Sequence, residues 1–142
     1  MAVKILKIDP CQPEQVQSVE GEILLQQKLL HQNIAQIYEV IKKDKKIYIF
    51  MEYCPNGELY NHIVNNGPMG ERETARVLAQ ILSALIYLKK MGISHRDIKP
   101  ENILFDKFWN VKLVDFGFSC KTLSTDGDFR RTICGTPSYT PP

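Results

Sequence analysis

The sequence has no strong excess of charge of either sign. Its 142 residues include 18 lysines and arginines and 16 aspartates and glutamates, which leaves a net charge of +2 at pH 7. A balance this even does not favour nucleic acid or an anionic membrane as the main partner. The one lysine cluster, Lys42-Lys43-Asp44-Lys45-Lys46, lies between two strand-like runs, and we expect it to form a solvated hairpin tip.

Cysteine clusters and long apolar runs are also absent from the sequence. The four cysteines stand at positions 11, 54, 120 and 134, none forms a C-x-x-C pair, and no Cys/His group has the spacing of zinc ligands. Reduced thiols of a cytosolic protein are the simplest interpretation. No apolar stretch approaches the length of a membrane span, and Met1 to Pro10 lacks the apolar core of a signal peptide. We therefore expect a cytoplasmic protein, with nuclear entry left open.

The hydrophobic patterning divides the chain into two parts, residues 1–53 and 54–142. Short apolar runs typical of strands dominate the first part, and helical patterns dominate the second. The elements expected in the first part are strands at Ala2–Ile8, Ile37–Ile41 and Ile47–Glu52 and a helix at Pro13–His31. Pro55-Asn56-Gly57 breaks the chain between the two parts. The expected fold class is therefore α+β, with a hinge between two lobes.

The second part contains the clearest helical pattern, Glu71–Met91, in which apolar residues repeat at three- and four-residue steps. These residues are Val77, Leu78, Ile81, Leu82, Leu85 and Leu88. A shorter helix is expected at Glu58–Val64, and two small strands at Ile103–Phe105 and Val111–Val114. From Phe118 to Pro142 the periodicity fades, and a loop is expected.

Two motifs in the second part carry the chemistry. The first is His95-Arg96-Asp97-Ile98-Lys99-Pro100-Glu101-Asn102, and the second is Asp115-Phe116-Gly117. They place an acid, a lysine, an asparagine and a second acid in the order that phosphoryl transfer from Mg-ATP requires. They also match the signatures H-R-D-x-x-x-x-N and D-F-G residue for residue. The chain therefore resembles a eukaryotic-type protein kinase.

This resemblance implies a partial two-lobed protein-kinase-like fold that binds ATP and Mg²⁺ between the lobes. Residues 1–53 would be an incomplete β lobe with one helix, and residues 54–142 an incomplete, mainly helical lobe that runs through the activation segment. Asp97 would accept the proton of the substrate hydroxyl, and Lys99 would reach the γ-phosphate. Asn102 and Asp115 would be the metal ligands. His95 is expected to be structural, because no second His or Cys lies near it in sequence.

The resemblance also assigns residues to the nucleotide site. Ala2-Val3-Lys4 resembles the end of the V-A-I-K strand, whose lysine holds the α- and β-phosphates and pairs with a glutamate on the next helix. Glu22 is the glutamate we choose, and Glu20 remains the alternative. The other implied nucleotide residues are Met51 as gatekeeper, Glu52 and Cys54 in the hinge, Ala2 and Leu104 on the adenine faces, and Glu58 near the ribose or a basic substrate side chain.

The residues around Asp97 resemble the serine/threonine branch of the family. Lys99-Pro100-Glu101-Asn102 and Cys134-Gly135-Thr136-Pro137 both favour protein substrates that carry serine or threonine. Thr136 would tie Asp97 and Lys99 together from the activation segment. The subgroup that the chain most resembles is the calcium/calmodulin- and AMP-activated type, on Gly57-Glu58-Leu59 and Asp115 to Ser119.

Regulation and substrate preference follow from the same resemblance. Thr132 stands four residues before Thr136, where the family carries its activating phosphate. Arg96 can form a bidentate pair with such a phosphate, so an upstream activating kinase is an expected partner. Glu58 and Glu101 together indicate a preference for arginine or lysine upstream of the phosphoacceptor.

The chain also departs from the family pattern. A hydrophobic stack in the family couples the glutamate helix to the metal site, and here it would comprise Gln26, Ile37, Phe116 and His95. Gln26 replaces the usual leucine or methionine, and its buried amide needs a partner. The sequence contains neither the glycine-rich loop that precedes the lysine strand nor a complete A-P-E.

We therefore expect these residues to cover about half of a kinase domain, with marginal stability and little or no activity of their own. The alternative hypothesis is a non-catalytic kinase-like fragment, either a binding or decoy module or a truncated gene product. Intact Lys4, Asp97, Asn102 and Asp115 argue against that alternative, and the missing glycine loop argues for it.

Overall fold

The computed structural model describes residues 1–8, 13–117, 119–121 and 135–139. The first part of the chain forms a three-stranded antiparallel sheet in the order β1-β3-β2. Its strands are β1 (Ala2–Lys7), β2 (Ile37–Lys43) and β3 (Lys46–Met51). The sequence predicted all three strands, and their ends differ from the prediction by no more than two residues.

Side-chain alternation explains why these segments form strands. On β3, Ile47 and Ile49 point into the core and are 0% and 4% exposed, whereas Tyr48 between them lies on the opposite face. The turn from β2 to β3 consists of Asp44 and Lys45, whose φ angles are 51° and 61°. Two consecutive residues with positive φ make the hairpin turn that matches the natural twist of the strands.

The helix α1 (Pro13–Gln27) covers the inner face of the sheet. Its residue Ile23 shares a small core with Ile37, Ile47 and Ile49. The helix ends four residues before its predicted end at His31. The Leu29 N–H donates to the Gln26 carbonyl at 3.0 Å, a tight bond that closes the last turn. Leu29 then enters the core of the second part, which carries the chain away from the helix axis.

Two helices dominate the second part, α2 (Leu59–Asn66) and α3 (Glu71–Lys90). Acidic residues in the first turn of α3 and lysines in its last turn both suit the helix dipole. In the ranges that the structure describes, no helix combines the length and the apolarity that crossing a membrane would need.

The helix α3 buries only part of its predicted apolar pattern. Its buried residues are Val77, Ile81, Ala84 and Leu88. Leu78 and Leu82 are 52% and 56% exposed. Steps of four and three residues keep the buried set on one face, and Leu78 and Leu82 lie about 100° further round the helix. The sequence pattern was therefore wider than the face that the helix buries.

Short strands carry the two motifs. The hairpin of β5 (Ile103–Phe105) and β6 (Val111–Leu113) lies between them, as predicted. The strand β4 (Ile93–Ser94) precedes the first motif and pairs with β7 (Cys120–Lys121) after the second. The sequence did not predict this pair, because two-residue strands show no alternation. The chain also makes a short 3₁₀ turn at Pro100–Asn102.

Asn33 fixes the two parts of the molecule to each other. Its side chain is buried, and its Nδ2 donates to the Oε1 of Gln80 and to the carbonyl of Val111, both at 3.0 Å. The same Gln80 oxygen accepts the Val111 N–H at 2.7 Å. Buried amides that are bonded in this way hold their elements in one arrangement. The sheet is therefore held over the loops that carry the motifs.

Candidate active site

A cavity of about 310 Å³ lies between the sheet and the β5–β6 hairpin. Its volume is at the lower end of the range for small-molecule pockets. The residues predicted for nucleotide or metal that line it are Lys4, Glu22, Met51, Glu58, Asn102, Leu104 and Asp115. Ala2, Glu52 and Cys54 were assigned to the same nucleotide, but they are not among its lining residues.

Lys4 and Asp115 meet at one end of the cavity. The Lys4 Nζ lies 3.6 Å from the Asp115 Oδ1, and both side chains are close to half exposed. Lys4 reaches this position because it pairs with Ile49 of β3 and shares its inward face. Asp115 adopts φ 61°, a left-handed conformation that few residues other than glycine adopt and that aspartate tolerates better than most. Charge of both signs therefore converges where phosphates and a metal would be held.

Glu22 reaches the same end of the cavity from α1. A Cβ atom added to Gly117 would lie 3.4 Å from the Asp115 Oδ1 and 3.5 Å from the Glu22 Oε2, so both carboxylates border this glycine. Burial raises the pKa of Glu22, and the opposing effect of Lys4 is not enough to cancel it. The resemblance had implied an ion pair between Lys4 and Glu22. Among the described residues, the ion pair of Lys4 is instead with Asp115.

Glu20, the alternative to Glu22, lies elsewhere. Its Oε1 pairs with the Lys42 Nζ at 2.6 Å, and it is not among the residues that line the cavity. The structure therefore places Glu22 rather than Glu20 beside Lys4 and Asp115.

Asp97 is the centre of a hydrogen-bonded network. Its Oδ1 accepts the Thr136 hydroxyl at 2.7 Å and the Thr136 N–H at 3.1 Å. Its Oδ2 accepts the Asn102 Nδ2 at 2.9 Å and lies 3.2 Å from the Lys99 Nζ. Lys99 also donates to the Thr136 hydroxyl at 2.8 Å. The structure thus brings together the four residues to which the sequence assigned catalytic roles.

The network keeps Asp97 ionised. Burial by itself tends to raise the pKa of Asp97, but the hydrogen bonds from Thr136, Lys99 and Asn102 outweigh it and hold the pKa below its usual value. An ionised carboxylate in this position can orient a hydroxyl group and accept its proton. The fixed geometry suits a reaction in which positioning supplies most of the catalysis.

Asn102 and Asp115 form a site that fits magnesium together with phosphate oxygens. The Asn102 Nδ2 donates both to the Asp97 carbonyl and to the Asp97 Oδ2, each at 2.9 Å, which leaves its amide oxygen as the acceptor. No group of three or more His, Cys, Asp or Glu side chains in the described ranges could hold a metal alone. Magnesium commonly uses one or two protein oxygens and takes its other ligands from phosphates and water.

His95 has a structural position. It is 3% exposed, and its ring centroid lies 4.7 Å from that of Phe116. The Asp97 N–H donates to its Nδ1 at 3.3 Å, and its Nε2 lies 3.2 Å from the Val114 carbonyl. This pattern assigns the proton to Nε2. Burial lowers the pKa of His95, so the ring is neutral and packs the catalytic loop against Phe116.

Gln26 finds the partner that its burial requires. Its side chain is 5% exposed, lines the cavity, and donates from Nε2 to the Ala35 carbonyl at 3.2 Å. The bond joins α1 to the segment that leads into β2. Two other members of the expected hydrophobic stack lie in different cores. Ile37 packs in the sheet core, and Phe116 packs in the core of the second part. The four side chains of the stack therefore do not form one apolar cluster.

The hinge segment contains an ion pair that the sequence did not predict. The Glu52 Oε1 lies 2.7 Å from the Lys112 Nζ of β6, and both side chains are largely buried. Burial, with a smaller contribution from Glu52, raises the pKa of Cys54 to about 11. That thiol is therefore protonated at neutral pH.

Two further acidic side chains, Glu58 and Glu101, line the cavity. Glu58 forms a β-bridge with Leu104, and its carboxylate accepts the Asn61 Nδ2 at 3.4 Å. The Oε2 of Glu101 is buried and has no hydrogen-bond partner among the described residues. A buried carboxylate oxygen without a partner is costly, which makes a cationic group a favourable ligand for it.

The two residues predicted to be regulatory, Thr132 and Arg96, are not both described by the structure. Thr132 lies outside the described residues, and so does Cys134 of the C-G-T-P motif. Arg96 is described, and its φ is 65°.

The sequence did not identify several apolar residues of the cavity, including Ile23, Ile49 and Val114. For two of them, the position in the sequence could have indicated that they line the cavity. Ile49 precedes Met51 by two residues and shares its face of β3, and Val114 directly precedes Asp115.

Comparison with known proteins agrees with this geometry. The family model described as the protein kinase domain matches residues 1–142. The probable serine/threonine-protein kinase KCC4 of Saccharomyces cerevisiae is 41% identical over 125 residues, which cover 88% of this chain and 12% of that protein. The maternal embryonic leucine zipper kinase of Danio rerio is 43% identical over 124 residues, which cover 87% of this chain and 18% of that protein.

A plant relative covers the chain completely. The CBL-interacting protein kinase 32 of Oryza sativa subsp. japonica is 41% identical over 145 residues, which cover 100% of this chain and 33% of that protein. The chain thus spans between about an eighth and a third of the length of these three relatives.

Proposed function

Because this chain belongs to the protein kinase domain family, we propose that its site transfers the γ-phosphate of ATP to serine and threonine hydroxyls of protein substrates. The observation that carries the proposal is the network in which Thr136, Lys99 and Asn102 hold the Asp97 carboxylate. The relatives that match the chain are named as kinases, and several of them, KCC4 of Saccharomyces cerevisiae among them, are named as serine/threonine-protein kinases. Their names support the phosphoacceptor class.

The nucleotide would occupy the cavity beneath the sheet. Met51 and Leu104 supply apolar surface for the adenine ring, and Lys4 supplies a cation for the phosphates. Asn102 and Asp115 supply the oxygen ligands for Mg²⁺, which would neutralise the negative charge of the phosphates. Glu22, beside Lys4 and Asp115, would keep the lysine directed towards the phosphates once Asp115 engages the metal.

The catalytic loop would then align the phosphoacceptor. Asp97 accepts the proton of the substrate hydroxyl and aims its oxygen. Lys99 reaches from the same loop towards the phosphoryl group, and its bond to Thr136 fixes its position. Each of these groups is held before substrate arrives, so little reorganisation is needed during the reaction.

The acidic residues favour a basic substrate. Glu101 has a buried carboxylate oxygen without a described partner, and Glu58 lies at the same cavity. An arginine or lysine upstream of the phosphoacceptor would supply the missing cation. Phosphorylation of Thr132 by an upstream kinase, with Arg96 as a ligand of the phosphate, remains a separate prediction. It is wrong if Thr132→Ala in a complete version of the enzyme leaves the rate of phosphate transfer unchanged.

The test is transfer of radiolabelled γ-phosphate to three matched peptides that differ only in serine, threonine or tyrosine at the acceptor position. When these residues are assayed within a complete kinase domain, we expect labelling of the serine and threonine peptides above the level of an Asp97→Asn control, and none of the tyrosine peptide. Alone, they should transfer little or no phosphate. If no peptide is labelled, calorimetry with Mg-ATP tests the alternative hypothesis of a non-catalytic kinase-like fragment. Nucleotide binding without any transfer would favour a non-catalytic binding module.

A further inference from the structure

The outer face of the sheet is arranged in three rows that cross all three strands. Residues paired on neighbouring antiparallel strands point to the same side, so the strand register defines each row. Counted from the turn between β2 and β3, the rows are Lys7–Lys46–Lys43, Ile5–Tyr48–Ile41 and Val3–Phe50–Glu39.

The first row places three lysines side by side. Lys46 of β3 pairs in register with Lys7 of β1 on one side and with Lys43 of β2 on the other. Like charges directly opposite each other destabilise a sheet. None of these three lysines makes an ion pair with the described residues, and Lys45 adds a further positive charge at the turn, where Asp44 is the neighbouring acid. The row is therefore a concentration of positive charge without an internal counter-charge in the described structure.

The second row is apolar and accessible. Ile5 and Ile41 are 55% and 41% exposed, and Tyr48 between them is half-buried. In the third row Val3 is 45% exposed, and Glu39 introduces a negative charge at the end of the face opposite the lysines. The face thus changes from cationic to apolar along all three strands, and on β2 the third position is the acidic Glu39.

We propose that the lysine-row face, defined by Lys7, Lys43 and Lys46 together with Ile5, Tyr48 and Ile41, docks an acidic segment of a partner protein that carries apolar side chains next to its carboxylates. Neighbouring rows are about 6.6–6.8 Å apart, the spacing of alternate residues in an extended chain. An extended segment can therefore place carboxylates on the lysine row and aliphatic side chains on the apolar row. Glu39 fixes the orientation, because it repels the acidic end of the segment.

This docking surface is independent of the phosphate-transfer site. Lys42 and Lys4 belong to the opposite, inward face of the sheet, where Lys42 pairs with Glu20 and Lys4 with Asp115. A partner on the lysine-row face would relieve the repulsion within the row, so the row costs stability in the free protein and contributes to binding in the complex. A substitution that removes positive charge from the row should therefore weaken binding of the partner and raise the stability of the free protein.

The probe is a short fluorescein-labelled peptide in which isoleucines at alternate positions are followed by a run of glutamates. Fluorescence anisotropy measures its binding to the full chain. We expect Lys46→Glu to weaken binding about tenfold, because it removes one attraction and adds a repulsion. The same substitution creates two opposite-charge pairs across the strands and should raise the melting temperature by about 3 °C.

The control variant is Lys107→Glu, which changes the net charge equally in the turn between β5 and β6, where Lys107 lies over the Phe108 ring. It should leave peptide binding unchanged. Ile5→Thr should weaken binding about threefold, and replacement of the peptide glutamates by lysines should abolish it.

Three results would overturn the proposal. The first is equal binding of the peptide to wild type, Lys46→Glu and Lys107→Glu, which would show that only net charge matters. The second is no measurable peptide binding at low ionic strength. The third is binding to vesicles of phosphatidylserine and phosphatidylcholine without binding to the peptide, which would assign the face to a membrane surface.

Discussion

The Thr136 hydroxyl lies 2.7 Å from the Asp97 Oδ1, although 39 residues separate the two in the chain. The same threonine accepts a hydrogen bond from Lys99, so one side chain from the last described segment controls two residues of the catalytic loop. Asp97 and Lys99 therefore depend on that segment for their relative geometry. If the segment moved away, Asp97 would lose two of its hydrogen bonds.

Thr136→Ala tests this dependence. It removes the hydroxyl that joins Asp97 to Lys99. Within a complete kinase domain we expect phosphate transfer to fall about 10²-fold, because small errors in positioning are costly. Thr136→Ser keeps the hydroxyl and should retain most of the activity. Both variants should bind Mg-ATP as the wild type does. Equal transfer rates for Thr136→Ala and Thr136→Ser would contradict the role assigned to the hydroxyl.

Asp97 should also make stability depend on pH. Its pKa is held below its usual value in the folded state, and the unfolded value is about 3.9. Its bonds therefore contribute fully above about pH 4, and their contribution is lost as the pH falls through the folded pKa. Urea denaturation should show Asp97→Asn to be less stable than wild type at neutral pH, with a difference that narrows as the pH approaches 3. A constant difference across this range would show that Asp97 does not titrate as described.

Glu22 should have opposite effects on stability and activity. Its pKa is raised, so its negative charge costs stability at neutral pH, and the cost disappears as the pH falls through the folded pKa. Glu22→Gln should therefore raise the melting temperature slightly and reduce phosphate transfer about tenfold. Glu20→Gln is the matched control on the same helix, and it should change neither quantity appreciably. If Glu20→Gln reduces transfer and Glu22→Gln does not, the choice between the two glutamates is wrong.

Substitutions of Gln26 test whether its hydrogen bond to the Ala35 carbonyl stabilises the position of α1. Gln26→Met preserves the length of the side chain but loses the hydrogen bond to Ala35, and it should cost about 1 kcal/mol of unfolding free energy. Gln26→Glu places a carboxylate against the Ala35 carbonyl in a buried site, and it should cost about 2–3 kcal/mol. Chemical denaturation measures both. A Gln26→Met variant more stable than the wild type would show that the hydrogen bond makes no net contribution.

The ion pair of Glu52 and Lys112 should couple the hinge to β6. A double-mutant cycle with Glu52→Gln and Lys112→Met should give a coupling energy of about 1–2 kcal/mol, because both side chains are largely buried. The same cycle for Glu20 and Lys42, an exposed pair, should give less than about 1 kcal/mol. Equal coupling energies in the two cycles would contradict the importance of burial at the hinge.

The sequence predicted the elements that carry a long hydrophobic pattern and the loop that carries a specific motif. The three sheet strands and α3 follow from apolar repeats, and the catalytic loop follows from a motif whose residues must be spaced in one way to handle Mg-ATP. The β4–β7 pair was missed because two residues carry no periodicity. The extent of the buried face of α3 was also missed, since Leu78 and Leu82 are as apolar as the residues that the helix buries.

Side-chain pairing was the least predictable feature of the site. The sequence placed Lys4 and Glu22 at the same cavity, but only the fold shows that Asp115 lies within 3.6 Å of the lysine. The pair of Glu52 and Lys112 likewise joins residues 60 positions apart that no motif connects. Such pairs depend on how elements pack, which a local pattern does not contain.

Binding of Mg-ATP, measured by isothermal titration calorimetry, tests the central claim most directly. The account predicts that the wild type binds ATP in the presence of Mg²⁺ and that Asp115→Asn abolishes the magnesium dependence. It also predicts that Lys4→Met weakens binding at least about tenfold, because a cation for the phosphates is lost. A wild type that does not bind Mg-ATP, or equal affinities for wild type and both variants, would contradict it.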